Sequence, residues 1–152
     1  MIYTLCQVFF YINIFMKDEY TSAFYDVVRE AQHTTGFDLP TEIEAYVVML
    51  LADKIDKPNF LPATSFAEEF LKLKNPYRHT AKELGDTCLF VTSVFPEYGI
   101  GVRYYSDIGI SSYTLVQQGL NAELFKTLAD RFDFLRDFIS ISLKDSPIKL
   151  TY

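Results

Sequence analysis

Apolar positions recur along this chain mostly at helical spacing. Phe24, Val27, Val28 and Ala31 fall at i, i+3, i+4 and i+7, with Asp26, Arg29 and Glu30 on the opposite face. Gly36 then supplies a left-handed stop. A second helix opens at Thr41, with Glu44 three residues on as a capping box. Its body, Ala45 to Ala52, is apolar all round, which predicts burial on more than one side and a place at the centre of the bundle. Pro58 and Pro62 mark a connection. Ser65 with Glu68 makes another box, leading a short helix with Phe66, Phe70 and Leu73 inward. Thr80 with Glu83 makes a third. Near the end, Asn121 caps a helix whose stripe is Phe125, Leu128, Phe132, Leu135 and Ile139, with Asp130, Arg131, Asp133, Arg136 and Asp137 facing water.

The stretch Leu84 to Tyr113 holds Gly85, Gly99, Gly101 and Gly109, four of the six glycines. Read as helices, residues 80–95 line up Leu84, Cys88, Val91 and Phe95. Pro96 and the turn Tyr98-Gly-Ile-Gly101 follow. A helix from Val102 to Gln118 then turns Tyr105, Ile108, Ser112 and Leu115 inward, with Gly119 as its C-cap. Gly85 and Gly109 would let the two backbones approach closely. The competing reading is a β-meander over 87–117, since TCLFVTSVF and GVRYY are rich in β-branched and aromatic residues. The fold predicted is therefore an all-α, compact single-domain bundle of about five to six helices around a central buried helix. The α+β meander is the alternative.

Domain limits follow from the same pattern. Residues 17–143 form the helical domain and 144–152 a tail. Residues 1–16 are an uncharged, apolar extension: either an extra strand or helix on the body, or a stretch ahead of a true start at Met16. It has no basic n-region or small-residue cleavage site, and it is too short to span a bilayer.

Composition narrows the partners. Of 152 residues, 49% are hydrophobic, so the core needs no metal or disulfide staple. Two cysteines, Cys6 and Cys88, are too few for a secreted disulfide framework and suit a reducing, cytoplasmic setting. Cys88 reads as a small buried hydrophobe. The net charge of −6 disfavours nucleic acid and anionic membrane; Lys72, Lys74 and Arg78 are too sparse to make an exception.

The run L-G-D-x-x-L-F-V-x-x-x-F-P-E followed by x-Y-Y-x-x-x-G-x-x-x-Y is carried by Leu84, Gly85, Asp86, Leu89, Phe90, Val91, Phe95, Pro96, Glu97, Tyr104, Tyr105, Gly109 and Tyr113. It resembles an uncharacterised group of bacterial proteins, as does Leu128, Ala129, Arg131 and Phe132. The resemblance covers roughly residues 40 to 140. It implies a helical domain and no assigned activity.

Chemistry is sparse. Asp86 and Asp107 are the carboxylates nearest the core pattern, and with Tyr104 and Tyr105 they are the candidate ligand- or partner-binding residues. A pocket around these four would suit a small hydrolase or ligand-binding protein. The plainer reading pairs Lys82 with Asp86 and Arg103 with Asp107, both at i,i+4, and makes one tyrosine core. Glu30 and His33 match half of a helical di-iron motif whose other ligands are absent, so no metal or cofactor is expected. No nucleophile elbow, Walker loop or dinucleotide fingerprint occurs, and Gly99-Ile-Gly101 is only a turn. The leading expectation is a non-catalytic helical module contacting a protein partner or another copy of itself through surplus aromatics, fourteen Phe and eleven Tyr.

Overall fold

The computed structural model describes residues 5–55, 78–95, 101–116 and 121–144, with side chains from residue 19 in the first stretch and from 81 in the second. Six helices are found there: α1 (Leu5–Thr35), α2 (Thr41–Lys54), α3 (Arg78–Val94), α4 (Val102–Leu115), α5 (Ala122–Asp130) and α6 (Phe132–Lys144). No strand occurs among the described residues, so the meander alternative is set aside: its two supposed ribbons are α3 and α4. β-branched and aromatic residues suit strands only where a pleated face is available to pack them. Here the same side chains fill a helix that is surrounded on nearly every side.

That helix is α3. Every residue from Leu84 to Ser93 is buried, and α3 packs on α4, α6 and α2. The centre of the bundle is therefore α3, not α2 as its apolar run suggested. In α2, Val47, Val48, Leu50 and Leu51 are buried, but Ala45 and Met49 face solvent. The buried hydroxyls of α3 are tolerated because each returns its proton to the preceding turn: Thr87 donates to the Glu83 carbonyl, Thr92 to Cys88 and Ser93 to Leu89. No buried side-chain nitrogen or oxygen among the described residues lacks a partner.

The predicted glycine contacts are present. A Cβ on Gly85 would lie 2.6 Å from the Tyr113 ring, and one on Gly109 would lie 2.6 Å from the Phe132 ring and 2.9 Å from Cys88 Cβ. Gly85 on α3 thus admits the Tyr113 ring of α4, while Gly109 on α4 admits the Phe132 ring of α6 and lies close to Cys88 of α3. Tyr105, Ser106, Gly109, Ser112 and Tyr113 form the buried face of α4. Leu115, expected inward, is exposed, because the inward stripe advances through Tyr113 instead. The helix ends at Leu115; the proposed cap at Gly119 lies outside the described residues, as does the Ser65 box with its short helix.

The stripe Phe24, Val27, Val28 and Ala31 is buried in α1. The helical backbone of α1 continues unbroken from Leu5 through Met16 into that segment, so its first part is not a strand. Gly36 ends α1 at φ +75°, its N–H donating to the Gln32 carbonyl at 3.0 Å. A Cβ there would meet nothing within 4 Å. Gly36→Ala is therefore expected to cost about 1–2 kcal/mol through backbone strain alone, with Gly36→Asn recovering part of it, as read from urea denaturation midpoints.

Two capping boxes do not form. At α2 the N-cap is Pro40, with no side-chain cap bond, and Thr41 already lies in the helix. The Glu44 carboxylate is used by Gln32, whose Nε2 donates to it at 2.5 Å while its Oε1 accepts from Leu39 N–H at 2.7 Å. At α3 the helix begins at Arg78, placing Thr80 inside it. Asn121 does occupy the N-cap of α5, but through its backbone only.

The last predicted helix is broken in two. Arg131, at φ −108° and ψ 17°, separates α5 from α6, while its N–H and carbonyl still bond to Thr127 and Leu135 at 2.9 Å each. Phe125, Leu128, Phe132, Leu135 and Ile139 all stay buried across the bend. The two halves lean mainly on different neighbours: α5 packs on α4 and to a lesser extent α2, whereas α6 packs chiefly on α3 and α1 and also touches α4. A straight rod could not follow both. Among the described residues no helix is long and apolar enough to cross a membrane.

Candidate functional site

A buried carboxylate lies at the meeting of α2, α3 and α4. Asp86 is 5% exposed. Its Oδ1 accepts from the Tyr46 hydroxyl at 2.5 Å and from the Tyr113 hydroxyl at 2.7 Å, while Oδ2 accepts from Lys82 Nζ at 2.7 Å. Local sequence explains the geometry. Lys82 precedes Asp86 by one helical turn, so both leave the same face of α3. Tyr113 lies with its ring against Gly85, and the missing side chain there lets its hydroxyl reach the next residue, Asp86. Tyr46 comes from α2, its ring edge-on to Phe125 at 5.8 Å. Phe125 and Phe132 also flank Tyr113, at 5.9 and 6.0 Å.

The surrounding charges continue outward. Lys82 also lies 3.9 Å from Glu83, and Glu83 is 3.5 Å from the buried Lys54 ammonium. Burial alone would lower the Lys82 pKa, but the Asp86 carboxylate outweighs it, with Glu83 and Asp53 adding to the effect, and holds the pKa above its ordinary value. Burial pushes both tyrosine hydroxyls upward, and the Asp86 charge beside them pushes further in the same direction. Tyr46 and Tyr113 are therefore neutral donors wherever the protein is folded. A group whose pKa is raised on folding contributes stability that is whole below its unfolded value and lost as pH climbs through the folded one. Both tyrosines and Lys82 carry that sign. Folding stability is thus expected to decline once pH exceeds about 10, the unfolded tyrosine value. The urea midpoint as a function of pH checks this, and Tyr113→Phe should flatten the decline.

Chemically, the arrangement keeps the carboxylate inside the bundle, among donors of its own chain. A carboxylate has about four lone-pair sites, and three donors from this chain already occupy Asp86. A general base must reach a substrate proton directly or through one water, and Asp86 faces its own helices instead. Cys88 is no nucleophile either: burial pushes its thiol up, disfavouring the reactive thiolate. Among the described residues no group of three His, Cys, Asp or Glu could hold a metal ion. Glu30 and His33 stand exposed on α1.

The four residues singled out from the sequence do not share one site. Asp86 is interior, whereas Asp107 stands in solvent 3.6 Å from Arg103. Both i,i+4 pairs of the plainer reading are present. Tyr105 is buried and Tyr104 half-buried, their rings edge-on at 5.0 Å. Residue-by-residue reading missed Tyr46 and the role of Tyr113. The available signal was the aspartate itself: a carboxylate inside LGDTCLFV demands buried donors, and tyrosine is the side chain able to bring one through an apolar core.

Comparison of the chain with protein-family models, with curated proteins and with solved structures finds no match.

Proposed function

We propose that the chain is a non-catalytic helical interaction module that binds protein, a second copy of itself included. The observation that carries this reading is the enclosure of Asp86: the carboxylate best placed for chemistry is 5% exposed and accepts from Tyr46, Tyr113 and Lys82 of its own chain. A polar group spent in this way fixes how three helices dock and leaves the outer surface to do the work. That surface carries large apolar side chains. Phe37 is 53% exposed and Ile141 46% exposed; Phe37 meets Phe134 edge-on at 5.3 Å, and Phe134 stacks on Phe138 at 6.2 Å. Phe134 and Ile141, seven residues apart on α6, share a face. Phenylalanine exposed in this way is favoured at protein contacts. A hydrolase or ligand pocket built from Asp86, Tyr104, Tyr105 and Asp107 has no such support, because Asp107 points into solvent.

Light scattering behind size-exclusion chromatography tests the self-association half. A mass that rises with concentration, and returns to the monomer in Phe37→Ser with Ile141→Ser, supports it. A strict monomer at high concentration removes it and leaves only a different protein as partner.

A further inference from the structure

The helix α1 outruns its neighbours. Its 31 residues extend about 46 Å at about 1.5 Å per residue, and it packs chiefly on α2 and α6. The bond from Gln32 to Glu44 sets the register of α2, so Lys54, at the far end of α2, stands opposite about residue 22. Phe37 against Phe134 places the start of α6 beside the end of α1. From there to Lys144 the helix reaches back about 15 Å, to about residue 25 of α1. Neither α2 nor α6 extends beside residues 5–18.

That arm has a pattern of its own. Residues 1–16 carry no charge, and Leu5, Val8, Ile12 and Phe15 follow the spacing of a heptad seam, with Gln7 and Asn13 on other faces. Continued by sevens, the Leu5–Ile12 row runs into Glu19 and Asp26, and the Val8–Phe15 row into Ser22 and Arg29. All four of these are exposed, whereas the buried row of α1 is Phe24, Val28 and Ala31. The seam therefore lies on the side of α1 that its own bundle leaves uncovered.

We propose that two copies of the chain pair through this arm, antiparallel, with their Leu5–Val8–Ile12–Phe15 seams face to face. The proposal rests on the reading that the chain binds a second copy of itself, and it assigns a surface other than the α6 face. A heptad seam is complementary to a copy of itself, and the area suffices. Phe9, Tyr11 and Phe15, on or beside the seam, supply about 450–750 Å² at about 150–250 Å² each. A standard interface buries about 800 Å² per partner, and the aliphatic residues add the rest. The antiparallel sense follows from charge. Each chain carries −6, and parallel arms would hold two acidic bodies side by side, with Glu19 and Asp26 against their own copies. Antiparallel arms carry the bodies to opposite ends, well beyond the screening length of about 8–10 Å.

The test combines sedimentation equilibrium of the full chain with inter-label distances from pulsed EPR. Ile12→Ser should raise the dimer Kd about tenfold or more, the scale of one buried aliphatic side chain. Ile14→Ser, off the seam, should change it by less than about threefold. For the distances, a label is placed at Glu30→Cys in a Cys6→Ser background; Cys88 is wholly buried and takes none. Arms paired antiparallel about their midpoint put the two labels about 60 Å apart, while parallel arms put them within about 20 Å. A strict monomer, the short distance, equal weakening by Ile12→Ser and Ile14→Ser, or binding to phosphatidylcholine vesicles in place of self-association would each overturn the proposal. Association lost in Phe37→Ser with Ile141→Ser but kept in Ile12→Ser would overturn it while leaving the α6 reading intact.

Discussion

Asp86→Ala is expected to lose about 2–4 kcal/mol of folding stability, because two tyrosine hydroxyls inside the bundle lose their acceptor; Lys82, with 38% of its side chain exposed, can turn to water. The loss arises less from the missing contact than from what is left behind. The Tyr113 hydroxyl, on a fully buried side chain, and the Tyr46 hydroxyl would lose their acceptor, as would the Lys82 ammonium. An unsatisfied buried polar group costs about 1–3 kcal/mol. Asp86→Asn separates the contributions. Its amide oxygen still accepts from both tyrosines, so it should fall between the wild type and Asp86→Ala. Tyr113→Phe removes one donor and leaves the carboxylate two others, and should cost about 1.5–3 kcal/mol. Urea denaturation of the three variants, with a cycle combining Asp86→Ala and Tyr113→Phe, measures the coupling. Additive losses would show that the two side chains act independently and that the network has no collective role.

Gly109→Ala is the second large effect, about 2 kcal/mol or more. In an ordinary exposed helix this change would stabilise by nearly 1 kcal/mol. Here the new methyl would sit 2.6 Å from two atoms of the Phe132 ring and 2.9 Å from Cys88 Cβ. Phe132 and Cys88 are wholly buried, so neither can swing aside, and α4 must back away from both α6 and α3. Overpacking of this kind costs about 1–3 kcal/mol and sometimes more. A thermal midpoint several degrees lower is the expected reading, since a domain of this size shifts about 2–4 °C per kcal/mol. Combining the change with Phe132→Leu should recover part of the loss, because the shorter side chain vacates the space the methyl needs. The contrast with Gly36→Ala is instructive: there space is open and only backbone conformation resists.

Periodicity made much of this architecture legible. Phe24 to Ala31, and Phe125 to Ile139, are buried as their spacing demands, because a helix stripe depends only on neighbours three and four residues away. The same holds for Lys82 with Asp86 and Arg103 with Asp107. Other features depend on remote parts of the chain and left no local trace. Tyr46 lies 40 residues from Asp86 and Tyr113 lies 27, so nothing in the local pattern marks them as its donors. The bend at Arg131 reflects which helices α5 and α6 must touch, not any residue type at 131. The Thr41 capping box failed for a nearby reason: Pro40 took the N-cap ahead of Thr41, and Gln32 claimed the glutamate that the box required. Gly85 and Gly109 were legible as permissive sites, yet only the packing decides which side chain each admits.

Gln32 has a consequence for how the chain assembles. Its bonds to Leu39 and Glu44 span seven and twelve residues, so the loop they close is short and its entropic cost small. The bonds that converge on Asp86 from other helices must close far longer loops, and contacts of that range form late. The α1–α2 hairpin is thus positioned to take shape early on the route to the native state. Tyr46 and Tyr113 reach their carboxylate near its end, as a latch that engages once the long-range docking is complete.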